Sequence, residues 1–189
     1  MVLYHLYINS DAGREVGVRE GLNKLVYARI VRMDVDPEKF AEAKKKALAR
    51  YESQKSIRCP YFQTDVILNS DGFHHLQFSA RRERNKREQM LKFSFLPLGL
   101  EIIKRSGTIQ EYRKILMPVG KKSIRDGFTP MKEVEFWGLV AIVGSEKPRK
   151  VRVVLRKVGT GNITFWSVMP YGKIENGSQR LTGQGLEDE

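Results

Sequence analysis

Two adjacent histidines, His74 and His75, stand out among only three in the chain. Histidine titrates near neutral pH, so either ring suits proton transfer. They precede the run Arg81-Arg82-Glu83-Arg84-Asn85-Lys86-Arg87-Glu88, which sets five cations against two anions. A second basic cluster follows in Lys147-Pro-Arg-Lys-Val-Arg152 and Arg156-Lys157. On a strand, Val151, Val153 and Leu155 share one face, while Arg152, Val154 and Arg156 share the other. Two arginines on one face are costly to bury, so they should meet water or an anion. In the next segment, strict alternation puts Ile163, Phe165, Ser167 and Met169 opposite Thr164, Trp166 and Val168. A sheet face carrying arginine, a hydroxyl and an aromatic ring is able to grip a phosphate and stack a base.

The elements that would position these groups follow from pattern and punctuation. Asp36 reads as an N-cap and Pro37 as the first residue of a helix. Phe40, Ala43, Ala47 and Tyr51 then repeat at spacings of three and four, with Lys44, Lys45, Lys46 and Arg50 elsewhere around the circumference. Arg58-Cys-Pro-Tyr-Phe breaks the chain. Thr64 to Asn69 reads as a short strand and Asn69-Ser-Asp-Gly72 as a turn. From Glu83 to Arg105 the pattern is helical, but Pro97 predicts two helices meeting there. The period then changes. Segments 108–117, 134–143, 150–158 and 163–169 read as strands, with Gly159-Thr-Gly-Asn162 as a tight turn. Helices before strands predict an α+β fold, with N-terminal helices packed on a four-stranded antiparallel sheet. Residues 33–171 form this single domain. Residues 1–32 lack a clean period and read as an N-terminal extension, either upstream of the true start or an arm of low stability. Residues 172–189 read as a flexible tail.

Composition narrows the chemistry. The chain has 189 residues, with 34 Lys and Arg against 22 Asp and Glu, a formal charge of +12. Such a protein attracts polyanions: nucleic acid, an acidic membrane surface or an acidic protein. One cysteine, Cys59, excludes an internal disulfide framework and a Cys-rich zinc site. The histidines have no companion ligands at metal spacing, so no metal and no cofactor is expected. There is no phosphate loop of the G-x-x-x-x-G-K type, no G-x-S-x-G elbow and no H-E-x-x-H. No apolar run is long enough to cross a membrane, and no secretory signal is evident. The expectation is a soluble cytoplasmic protein without a membrane partner.

The order Asp71-Gly-Phe-His-His-Leu76, a basic helical region, Val151-Arg-Val-Val-Leu-Arg156 and Phe165-Trp-Ser167 resembles the barnase, EndoU, colicin-type and RelE-like nucleases, especially their phage- and mobile-element-borne branch. The resemblance covers roughly residues 60–170. It implies metal-independent cleavage of RNA, and it implies a toxin or mobile-element effector held by an acidic antitoxin or immunity protein. It also implies a site formed by a histidine after the first strand, a basic residue of a central strand and a hydroxyl of the last strand. Here these fall on His74 or His75, on Arg156 (or Arg152), and on Ser167 (or Thr164). Arg81, Arg82, Arg84, Arg152, Lys157, Thr164 and Trp166 are the expected RNA contacts.

In such chemistry the 2′-hydroxyl is the nucleophile. A histidine moves protons, an arginine takes up phosphorane charge and a hydroxyl orients a phosphate oxygen. Two other readings fit the same charge pattern: a nucleic-acid-binding module without catalysis, and a basic protein that binds an acidic partner.

Overall fold

The computed structural model describes residues 35–79, 82–143, 149–171, 174–175, 178–179 and 186. The expected extension 1–32 lies outside them, as does Arg81. The elements in order are α1 (Pro37–Glu52), β1 (Ser56–Cys59), β2 (Thr64–Ile67), α2 (Ser70–Gln77), α3 (Lys86–Arg105), β3 (Glu111–Pro118), β4 (Met131–Val143), β5 (Arg149–Val158) and β6 (Thr164–Pro170). Within the expected tail, β7 (Ile174–Glu175) pairs with β8 (Ser178–Gln179), and Leu186 is buried.

The fold is α+β, but the sheet is larger than four strands and is mixed. Six strands run in the order β1-β2-β6-β5-β4-β3. All neighbours are antiparallel except β2 and β6, which pair in parallel at Ile67 and Thr164. The two extra strands come from the β1–β2 hairpin. Its first strand, Ser56-Ile-Arg-Cys59, was not expected as a strand, and its last two residues fall in the stretch expected to be a break. Its buried pattern alternates, with Ile57 and Cys59 inside, but four residues are too few to show a period.

α3 is one helix, not two. Pro97 sits inside it. A proline removes one hydrogen bond and crowds the carbonyl four residues before it. The helix continues because Phe93, Leu96, Leu100 and Ile103 are buried on either side of Pro97 in the main core. Its start is fixed by a capping box, in which Asn85 Oδ1 accepts from Glu88 N at 2.9 Å and Glu88 Oε2 accepts from Asn85 N at 3.2 Å.

α1 begins as the sequence predicts, with Asp36 Oδ1 accepting from Glu38 N at 2.9 Å. It docks through Phe40 against Phe93 and through Tyr51 against Phe73 and Phe165.

The three described helices contribute to one core on one face of the sheet. That face carries Trp137 and Leu139 of β4, Val151, Val153 and Leu155 of β5, and Phe165 and Val168 of β6. The opposite face carries a smaller cluster, Val134, Phe136, Val154 and Leu186, with Ile115, Met117 and Trp166 against it.

β6 departs from simple alternation. Val153 pairs with Val168, Val154 with Ser167, and then Leu155 with Phe165, so Trp166 is an extra residue at a β-bulge. The expected face sharing of Phe165 with Ser167 is therefore overturned. Phe165 and Val168 face the helices, while Ser167 lies across from Val154 on the arginine side.

Candidate anion site at the β6 edge

The turn expected at Asn69–Gly72 is the start of α2. Asn69 Oδ1 accepts from Gly72 N at 3.1 Å, which caps the helix. Gly72 is needed there, because a Cβ would collide with the Phe165 carbonyl and the Tyr51 hydroxyl. That close approach brings α2 onto β6 and places the two histidines. Adjacent helical positions point about 100° apart. His75 turns inward, is 6% exposed and stacks on Trp166 with ring centroids 4.0 Å apart. His74 turns outward and stacks on Phe78 at 4.3 Å. It lines a different groove, of about 490 Å³, with Leu48, Tyr51 and Gln77.

The segment after α2 is pinned to the end of that helix. Phe78 and Glu83 form a bridge, and Arg84 N donates to the Gln77 carbonyl at 2.8 Å. Arg84 Nε donates to the His75 carbonyl at 3.4 Å. These bonds occupy carbonyls that a helix end leaves open, and they hold the Arg84 guanidinium beside His75. Arg82 has another task. It is exposed and pairs with Glu88 through two hydrogen bonds of 3.1 Å.

Arg156 reaches Trp166 from β5, with its guanidinium carbon 4.2 Å from the ring centroid. Thr164 is its cross-strand neighbour, and the Thr164 hydroxyl donates to the Arg156 carbonyl at 3.0 Å. Arg152, two positions along the same face, is buried and ion-paired to Glu111 at 3.2 Å, and it lies over the Tyr171 ring. Tyr171 Oη also donates to Glu111, at 2.7 Å. Gly138 makes room for that carboxylate, because a Cβ there would meet Glu111 Oε2 at 2.5 Å. Lys157 falls outside the group. It lies opposite Glu135 in the alternation of the helix-packed face.

One member was not singled out from sequence. Lys92 of α3 is 4% exposed. Its Nζ donates to Ser167 Oγ at 2.7 Å and to the Val168 carbonyl at 3.4 Å. No carboxylate among the described residues lies within ion-pair distance of it. Its signal in the sequence was a lysine beside Phe93, inside an otherwise apolar stripe, where a basic residue reads as surface.

The structure thus gathers His75, Arg84, Arg152, Arg156, Thr164, Trp166 and Ser167 around the β6 edge and adds Lys92. It sets apart His74, Arg82 and Lys157. Trp166 is stacked within the protein, on His75 and Arg156.

The electrostatics follow from burial. His75 is pushed down to about 3, first by desolvation and then by Arg84, Lys92, Arg156 and His74, so it is neutral in the free protein at neutral pH. Lys92 is pulled down to about 7, first by desolvation and then by Arg84, with Glu88 opposing and Arg152 adding to the fall. Burial also lowers the pKa of Arg84 and Arg156, though both guanidinium groups stay cationic.

Hydrogen bonding shows what is missing. Among the described residues, His75 Nε2, Arg84 Nη2, Arg156 Nε and Trp166 Nε1 are buried and have no hydrogen-bond partner. They belong to residues in mutual contact. The two arginine nitrogens and the indole nitrogen are obligate donors. An unpaired buried donor costs about 1–3 kcal/mol, so neighbouring donors of this kind favour an acceptor-rich, negatively charged group.

No family model, curated protein or solved structure matches this chain.

Proposed function

We propose that the protein is a metal-independent endoribonuclease that seats one phosphodiester against the β6 edge. The observation that carries this reading is the set of buried donors on Arg84, Arg156 and Trp166 that have no partner among the described residues, beside Lys92, which has no carboxylate at ion-pair distance among them. Arg156 would take up the charge of the phosphorane, with Arg84 beside it. Ser167, held by Lys92, and Thr164, bonded to the Arg156 carbonyl, are the hydroxyls that β6 carries here.

His75 is the proton-transfer residue in this reading. Its low pKa in the free protein comes partly from cations that a bound phosphate would neutralise. Substrate therefore raises the basicity of the ring towards the range where proton transfer works. His75 takes the proton of the 2′-hydroxyl as that oxygen attacks the phosphorus, and the bond to the 5′-oxygen breaks as the His75 imidazolium gives that proton to it. The products are a 2′,3′-cyclic phosphate and a 5′-hydroxyl.

A chelator-treated digest of total RNA tests this. The expected result is cleavage in EDTA, with cyclic phosphate ends, and none on DNA. Intact RNA after long incubation would overturn the catalytic reading.

One observation favours a second reading, a nucleic-acid-binding module without catalysis. His75 is stacked, buried and hard to protonate, and Ser167 is fully buried. That reading gives salt-dependent RNA binding with the strand left whole.

A further inference from the structure

Among the described residues, nothing covers several apolar side chains of the β3–β4 connection. Ile124 is fully exposed, Phe128 is 75% exposed, and Leu116 and Met131 at its base are more than half exposed. Isolated exposed apolar residues are ordinary, but several on one short connection suit a contact surface. The connection is also closed on itself. Val119 N donates to the Pro130 carbonyl at 2.9 Å, Ser123 N to the Phe128 carbonyl at 2.8 Å, and Gly127 N to the Ser123 carbonyl at 2.9 Å. Phe128 N donates to Asp126 Oδ1 at 3.1 Å. Gly127 has a φ of 72°, which the turn requires. The result is a preformed knob.

The charge of the knob selects the partner. Lys121, Lys122, Arg125 and Lys132 stand against Asp126 alone within residues 119–132. Cations interleaved with an exposed aromatic ring match a single strand of nucleic acid, whose backbone meets the charge and whose bases stack on the ring.

Placement agrees. Phe136 of β4 lies across from Arg156, and Gly159 N, at the end of β5, donates to the Glu133 carbonyl. The knob therefore projects from the end of the sheet nearer Arg156. Its base at Met131 is about 17 Å along β4 from the Arg156 row, at the usual rise of an extended strand.

We propose that the β3–β4 knob is a second, sequence-tolerant contact for the RNA strand whose scissile phosphate sits at Arg156. This rests on the ribonuclease reading above.

The test measures binding of a long 2′-O-methyl oligouridylate and of a 2′-O-methyl trinucleotide by fluorescence anisotropy. Both resist cleavage. The variants are Ile124→Ser with Phe128→Ala, and Lys121→Gln with Lys122→Gln and Arg125→Gln. All five side chains are exposed, and circular dichroism confirms the fold.

Loss of the Phe128 ring should weaken the long strand about tenfold, as expected of one stacked base. Loss of the three cations should reduce the salt slope by about 2. Neither variant should change trinucleotide affinity, which Arg156→Ala should abolish. Unchanged long-strand affinity in both knob variants would overturn the knob and leave the Arg156 site standing. If the wild-type protein bound neither oligonucleotide, both proposals would fall together. Unchanged RNA binding with a dimer that becomes monomeric in Ile124→Ser/Phe128→Ala, by light scattering, would reassign the knob to self-association.

Discussion

The two faces of one sheet are built on opposite terms. On the helix-packed face, Leu139, Val151, Val153, Leu155, Phe165 and Val168 are shut away from water with no polar atom to satisfy. On the other, Arg152 is buried and Arg156 half-buried, and at the β6 edge His75 and Lys92 are buried as well. The first arrangement yields stability directly. The second costs stability, because charge is desolvated and donors are left open. A fold sustains such a cost where a ligand repays it, and the contrast separates what holds this molecule together from what the molecule holds.

Substitutions can break that contrast. The largest effect is expected from Arg156→Ala, which should cut RNA cleavage by about 10²–10³-fold, the scale of losing one preorganised charge-stabilising group, while melting changes little. A digest and a thermal melt measured side by side check this. Leu155→Ala should do the reverse. It should cost about 2–5 kcal/mol in a denaturant titration and leave phosphate binding by the folded fraction intact.

Lys92→Met sharpens the comparison further. Replacing a buried cation, which has no carboxylate at ion-pair distance among the described residues, by an apolar side chain of similar volume should stabilise the protein by on the order of 1 kcal/mol and weaken RNA binding together. A gain in melting temperature with full RNA affinity would show that Lys92 serves neither the site nor its field.

The smallest effect is one of pH. His75 falls from an ordinary value of 6.5 to about 3 in the fold, so between these values the unfolded chain binds more protons. Stability should be greatest above about pH 6.5 and drain away towards pH 3. His75→Phe should flatten the melting curve across that window. Lys92, lowered to about 7 from 10.5, acts on another window: stability should rise from about pH 7 to 10.5, and Lys92→Met should remove that rise.

The sequence made α1, the β4–β5–β6 meander and the arginine face legible, because each rests on local pattern: an Asp-Pro cap, apolar alternation, a Gly-Thr-Gly turn. It did not reveal β1, whose four residues are held by pairing with β2 rather than by propensity. It divided α3 at Pro97, because the burial that carries the helix through is a tertiary fact. Of the two histidines, composition offered no choice. The choice came from the approach of α2 to β6 at Gly72. Lys92 stayed hidden because a lysine inside an apolar stripe reads as surface until the strand it reaches is in place.

The bulge at Trp166 changes what β6 can deliver. A regular strand sends consecutive residues to opposite sides, so it could present an indole or a hydroxyl to the arginines, never both in succession. The extra residue resets parity within a single step. The core keeps Phe165 and Val168, and two chemically unlike neighbours emerge together where the guanidinium groups are. A shortened β6 that lacked this one residue could keep its hydrophobic layer intact and still lose half of its functional vocabulary.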